Sequence, residues 1–151
     1  MSKILVTGGA GFIGSNFVHL ALKERPDLQI TVIDKLGYAG NKSNLEGVLA
    51  KIEFVQADIC DQAAIDELVK SHDHVVHFAA ESHNDNSLHS PWPFVESNII
   101  GTFRVLDAVR RHGKKLHHIS TDEVYGDLEL DDPNKFTPDT PYNPSSPYSS
   151  T

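Results

Sequence analysis

The sequence predicts an α/β fold, a parallel sheet wound on both faces by helices, and three observations carry that reading. Short apolar runs alternate with segments of helical periodicity from the N-terminus to Ser120. The first apolar run leads at once into a glycine-rich turn and then a helix pattern. The connections are short, which favours a regular succession of strand and crossover helix, with the strand order 3-2-1-4-5.

Each element has its own warrant. Met1 to Thr7 is apolar from Ile4 onward, as a strand buried on both faces should be. The turn Thr7-Gly8-Gly9-Ala10-Gly11-Phe12-Ile13-Gly14 fits Gly-x-Gly-x-x-Gly through Gly9, Gly11 and Gly14, and Gly-x-x-Gly-x-x-Gly through Gly8, Gly11 and Gly14. Glycines at such spacing allow a tight turn, a close backbone approach to a pyrophosphate, and close packing of helix on strand. The helix N-terminus that follows presents N–H groups and a positive dipole end to phosphates. That helix runs from Phe12 to about Arg25, with an apolar stripe of Ile13, Phe17, Leu20 and Ala21, and Pro26 stops it.

Leu28 to Asp34 is the second strand. Asp34, twenty residues after Gly14, stands where a carboxylate accepts from both ribose hydroxyls of NAD and repels the extra phosphate of NADP. Leu36 to Asn44 reads as a loop, and Leu45 to Ala50 as a short helix. Ile52 to Val55 forms the third strand, ending near Asp58 and Ile59 at the ligand-binding edge. Asp61 is an N-cap before a helix that buries Ile65, Leu68 and Val69. His74 to Ala79 is the fourth strand, and Glu81 to Pro91 a polar loop. Pro93 to Arg111 is a helix with Phe94, Val95, Ile99, Phe103, Leu106 and Val109 as its stripe, closed by Gly113. Leu116 to Ser120 is the fifth strand.

Composition narrows the partners. The 151 residues suit one domain with a real core. A net charge of -8 argues against nucleic acid and anionic membranes. No N-terminal run is long and apolar enough for a signal peptide or a span. The single cysteine, Cys60, fits a reducing cytoplasm and reads as a small packed residue. The histidines lack metal-ligand spacing, so no metal is expected.

Three patches fall at strand ends and should converge on chemistry. Ala79-Ala80-Glu81-Ser82-His83 follows the fourth strand, its small residues permitting close approach of a cofactor. Ser120-Thr121-Asp122-Glu123 follows the fifth and offers a hydroxyl with two carboxyls, suited to general acid and base work or to capping a turn. Tyr148, in Ser146-Pro147-Tyr148-Ser149-Ser150-Thr151, is a candidate proton carrier or a loop anchor.

Taken together and in order, Thr-Gly-Gly-Ala-Gly-Phe-Ile-Gly, Asp34-Lys35-Leu36, His-Phe-Ala-Ala-Glu-Ser-His, His-Ile-Ser-Thr-Asp-Glu-Val-Tyr-Gly-Asp and Ser-Ser-Pro-Tyr-Ser-Ser-Thr resemble the N-terminal part of the extended short-chain dehydrogenase/reductase family. Within it the chain is most similar to the nucleotide-sugar 4,6-dehydratases, and Asp122 argues for the branch that acts on dTDP-glucose. The resemblance implies an NAD-binding Rossmann fold over residues 1–151, cut before its last strands and without its substrate domain. It implies cofactor contacts from Gly8, Gly11, Phe12, Ile13, Gly14, Asp34, Lys35, Leu36, Asp58, Ile59, Ala79, Ala80, Ser82, Ser97 and Tyr148. His83 and Thr121 would touch substrate, and Thr121, Asp122, Glu123 and Tyr148 would carry catalysis, with Asp122 kept protonated by burial or by its neighbour's charge. A homodimer is implied, through the helix at 93–111 and the tyrosine-bearing helix.

Two departures stand out. The loop reads His83-Asn84-Asp85-Asn86-Ser87 where many members have His-Val-Asp-Arg-Ser. The Tyr-x-x-x-Lys motif is cut, since the sequence stops at Thr151, one residue before the expected lysine, so the chain by itself is expected to be inactive. The alternatives are an NAD-dependent UDP-sugar 4-epimerase and a non-catalytic NAD-binding module.

Overall fold

The first strand, β1 (Lys3–Thr7), lies at the middle of a parallel sheet, and its two faces seed two cores. Successive strand residues point to opposite faces. Leu5 therefore enters one core and Val6 the other, both fully buried. A computed structural model of the chain describes residues 2–151. Met1, which the sequence placed at the start of this strand, lies outside the described residues.

β2 (Gln29–Asp34) and β4 (His74–His77) flank β1, β3 (Ile52–Gln56) lies outside β2, and β5 (Lys115–His118) outside β4, all parallel. The order is β3-β2-β1-β4-β5, as the sequence predicts. The winding reverses between β1 and β4, and a crevice opens there at the carboxyl ends of the strands.

On the Leu5 face, Ile33 and Val75 pack against Ile65 and Val69 of α2 (Gln62–Ser71) and Val105 and Ala108 of α5 (Thr102–His112). On the Val6 face, Ile30 and Val32 pack against Val18 and Leu22 of α1 (Phe12–Glu24). Each fully buried aliphatic side chain contributes about 1.5–3 kcal/mol of transfer free energy. Asp61 caps α2 as expected, its carboxylate accepting from Ala63 N–H at 3.0 Å and Ala64 N–H at 3.1 Å. Asp61→Ala should destabilise the chain by about 1 kcal/mol, read as a lower urea midpoint with an unchanged slope.

Several boundaries and faces differ from expectation, each for a physical reason. The stripe of α1 starts at Gly14 and continues through Ser15, Val18 and Leu22, while Ile13 and Leu20 are exposed. Close packing of Gly14 on the turn sets that rotation. The short helix at 45–50 is replaced by two 3₁₀ turns, Lys42–Leu45 and Leu49–Lys51. The Asn41 side chain caps the first, and Gly47, at φ +83°, separates them. The loop at 81–91 contains a short helix, α3 (Asn84–His89), fastened by Ser87 Oγ donating to Asn84 O at 2.6 Å. β4 ends at His77 and β5 spans Lys115–His118, because the chain leaves both strands at the crevice after the pair His77–His118.

The long helix is the most altered. α4 (Trp92–Phe94) runs into a π-helical segment, Val95–Gly101, and then into α5. Such wide turns recur at functional sites. Its inward face carries Ser97, Asn98 and Gly101 as well as Phe94, whereas Ile99, Phe103 and Leu106 of the expected stripe are exposed. Gly101 lies so close to Ile59 that a Cβ there would meet the isoleucine side chain at 2.5 Å.

Candidate cofactor and active site

The crevice above β1 and β4 is a cleft of about 500 Å³. Gly8, Gly11 and Gly14 form its floor, and the N-terminus of α1 opens into it. Gly8 has φ +68°, and a Cβ there would sit 2.6 Å from Ala79 N. Gly8, not Gly9, is therefore the turn glycine; Gly9 packs on Val32 away from the cleft. Gly11 is the helix N-cap and has no side chain to satisfy the first N–H groups of α1, leaving them for an anion.

Asp34 is 9% exposed at the end of β2. Its Oδ2 accepts from Ala10 N–H at 3.0 Å and its Oδ1 from Leu36 N–H at 2.8 Å. Those two bonds fix the carboxylate in the cleft wall and leave lone pairs for ligand hydroxyls. Lys35 Nζ lies 3.4 Å from Glu81 Oε1 and 3.8 Å from Asp58 Oδ2, linking the ends of β2, β3 and β4. Burial, then the nearby Glu81 carboxylate, push the Tyr38 phenol above the usual value.

The far wall brings together Ala79, Ala80, Ser82, Ser97, Thr121 and Tyr148. Thr121 caps a 3₁₀ turn, Asp122–Tyr125, its Oγ1 accepting from Glu123 N–H at 3.2 Å. Tyr148 packs edge-on against Phe94, ring centroids 6.2 Å apart. Ser146 caps its turn, Oγ accepting from Ser149 N–H at 3.1 Å.

Of the residues singled out from sequence, Phe12, Ile13, Lys35, Asp58 and Ile59 also line the cleft. Leu36, His83, Asp122 and Glu123 do not form its walls. Leu36, at φ +58°, turns its side chain into the core beside β2. His83 is exposed at the N-cap of α3. Asp122 is exposed and Glu123 half-buried, so protein burial does not shield Asp122.

Sequence reasoning missed Asn98. Its amide clamps the Glu81 backbone in both directions, accepting from N–H at 2.8 Å and donating to C=O at 2.9 Å, and donates to Thr151 Oγ1 at 3.0 Å. A polar residue among apolar ones on the helix was the available signal. Also missed was His77, 1% exposed behind the cleft. Burial, with the neighbouring His118 as a lesser cause, pushes its ring down to about 4. In the unfolded chain the ring protonates near pH 6.5. Stability present above pH 6.5 should therefore fall as the pH drops toward 4, by up to about 3 kcal/mol for this group. Urea melts across that window check it, and His77→Asn should flatten the dependence.

Among the described residues no three metal-ligating side chains cluster, and no helix is long and apolar enough to cross a membrane.

A parallel sheet ordered β3-β2-β1-β4-β5, with a glycine turn and an acidic strand end at its switch point, defines a Rossmann-type domain. The family model described as GDP-mannose 4,6 dehydratase matches residues 5–151, and the chain belongs to that family. It is 62% identical over 149 residues to a dTDP-glucose 4,6-dehydratase of Mycobacterium tuberculosis, covering 99% of this chain and 45% of that relative. Among solved structures it is similar to DesIV, a dTDP-glucose 4,6-dehydratase from Streptomyces venezuelae with NAD bound, at 42% identity and a TM-score of 0.90, covering 98% of this chain and 47% of the other. The UDP-Glc/GlcNAc 4-epimerase of Campylobacter jejuni superposes at a TM-score of 0.87 with 31% identity, covering 99% and 45%. The chain thus spans about half the length of the relatives it matches.

Proposed function

We propose that this chain is the cofactor-binding half of an NAD-dependent dTDP-glucose 4,6-dehydratase, a hydro-lyase that converts dTDP-glucose to dTDP-4-keto-6-deoxyglucose. The observation that carries the reading is a single cleft holding Gly8, Gly11, Gly14 and buried Asp34 on one side and Thr121 and Tyr148 on the other. The backbone at the three glycines would hold the pyrophosphate, Asp34 the ribose hydroxyls, Asp58 and Ile59 the adenine, and Ala79 and Ala80 the nicotinamide side. When bound, NAD supplies the acceptor for a hydride from carbon 4 and the same hydride for carbon 6.

The chain's own residues move the protons. Tyr148 takes the proton of the 4-hydroxyl, while Thr121 donates to the 4-oxygen and polarises the ketone. Glu123 removes the acidified proton at carbon 5. Asp122, protonated, donates to the departing 6-hydroxyl, which leaves as water. Two adjacent carboxyls can differ in protonation only in different environments. Asp122 is exposed here, so the bound sugar supplies its cover. His83, at the rim, would contact the substrate.

The 31% identity to an epimerase keeps 4-epimerisation as the second reading, and the 62% match to a dehydratase favours the first. The exposed face of Ile99, Phe103 and Leu106 suits pairing with a second copy as a homodimer. The lone cysteine and net charge of -8 suit a cytoplasmic enzyme without nucleic-acid partners. Mass spectrometry of the full-length protein with dTDP-glucose, without and with added NAD, tests the reading. Loss of one water supports it; an unchanged mass overturns it in favour of epimerisation.

A further inference from the structure

His77 sits at the carboxyl end of β4, and both of its ring nitrogens are engaged. Nδ1 lies 2.6 Å from Thr7 Oγ1 and Nε2 lies 3.0 Å from Thr102 Oγ1. Thr7 is fully buried and its oxygen also accepts from Ala79 N–H at 3.2 Å. The ring stacks on His118, centroids 5.3 Å apart.

We propose that His77 is a positioning residue for the cofactor: as a neutral ring it accepts from the Thr7 hydroxyl and donates to Thr102, and so fixes the backbone at Ala79 in the cleft wall. The inference rests on the cofactor reading above. Its logic is an accounting of hydrogens. Ala79 N–H is a donor only, so Thr7 Oγ1 accepts there. That oxygen could accept a second time, but its only other partner among the described residues is Nδ1, so its single hydrogen finds an acceptor only there and Nδ1 carries the lone pair. The ring proton therefore sits on Nε2 and goes to Thr102, a residue of the cleft wall. Three donors thus point the same way, from Ala79 through Thr7 and His77 to Thr102. The chain joins β1, β4 and the start of α5, elements that hold opposite walls of the cleft. A buried network of this kind is fully satisfied in one protonation state only. A proton on Nδ1 would leave the Thr7 hydrogen without its acceptor.

Two substitutions separate this role from packing. His77→Leu keeps much of the ring's bulk and removes both polar atoms. His77→Asn loses bulk but keeps an oxygen where Nδ1 was, able to accept from Thr7. If His77 only fills space, the leucine variant should be the better of the two. If it positions Ala79, the asparagine variant should keep NAD affinity near wild type. The leucine variant should then bind about tenfold more weakly, the worth of one net hydrogen bond. Calorimetric titration of the full-length protein with NAD reads this, with thermal melts recorded for each variant. Leucine binding NAD as well as or better than asparagine overturns the proposal. Independently, nitrogen-detected NMR of the wild-type ring at neutral pH should show a protonated Nε2 and a lone pair on Nδ1. The opposite tautomer overturns the relay even if NAD binds. A wild-type full-length protein that takes up no NAD overturns the cofactor reading and the positioning role with it, while the ring nitrogens still report whether the relay exists.

Discussion

On the proposed dehydratase reading, Glu123→Gln in the full-length protein should lower the rate of water loss by about 10²–10⁴-fold, the usual contribution of a general base. The substitution keeps shape, and the 3₁₀ turn that carries it is held by backbone and by Thr121 rather than by the Glu123 carboxyl. Folding should therefore survive. In the proposed mechanism oxidation at carbon 4 uses Tyr148 and Thr121, not Glu123, so the first half of the reaction should continue. The variant should stall with hydride withdrawn from the sugar, visible as the absorbance of reduced nicotinamide, while the mass of the sugar nucleotide shows little loss of water. Water loss at the wild-type rate would remove Glu123 from the mechanism.

Gly14→Ala should damage both the fold and the cleft. Its Cβ would overlap Gly8 O and come within 2.9 Å of Gly9 Cα and 3.0 Å of Gly8 C. All three obstacles are backbone, so no side chain can turn aside. Relieving them means shifting the turn or the helix, at a cost of about 1–3 kcal/mol. The same shift moves the N–H groups that would meet the pyrophosphate, so NAD affinity should fall more than tenfold. Gly11→Ala is the control, because a Cβ there meets only Gly8 O, at 3.3 Å. It should melt close to wild type. Urea melts and NAD titrations of both variants check the pair, and a Gly14→Ala chain as stable as wild type would show that the turn can yield.

Much of the architecture was legible because a few residues speak for long stretches. Ile4 to Val6, the glycine turn and Asp34 locate two strands, a helix and the cleft between them. Asp61 and Gly113 mark helix ends through local hydrogen bonding and a left-handed dihedral, φ +62° for Gly113, which sequence shows directly. The failures share another cause. The faces of α1 and of the long helix were read from apolar spacing, yet their rotation is set by tertiary contacts at Gly14 and Gly101. Where glycine, serine and asparagine line part of the buried side, hydrophobic periodicity finds only part of the face: Phe17, Ala21, Phe94 and Val109 pack inward, while Ile13, Leu20, Ile99, Phe103 and Leu106 are exposed. Leu36, which the family resemblance groups with the cofactor residues, has a positive φ and packs its side chain on the core. Asn98 and His77 escaped notice because their partners are backbone and threonine groups distant in sequence.

The contact between Gly8 and the backbone of Ala79 makes the bottom of the cleft a fixed joint. Two strand ends meet there with no side chain between them, so the walls cannot part by sliding at the base. A dinucleotide bound as proposed must then enter and leave at the top, where Lys35 ties the Glu81 carboxylate to Asp58. Exchange of cofactor thus depends on the swing of a few side chains at the rim. Slow release is the expected behaviour of a vessel with a rigid base and a latched mouth.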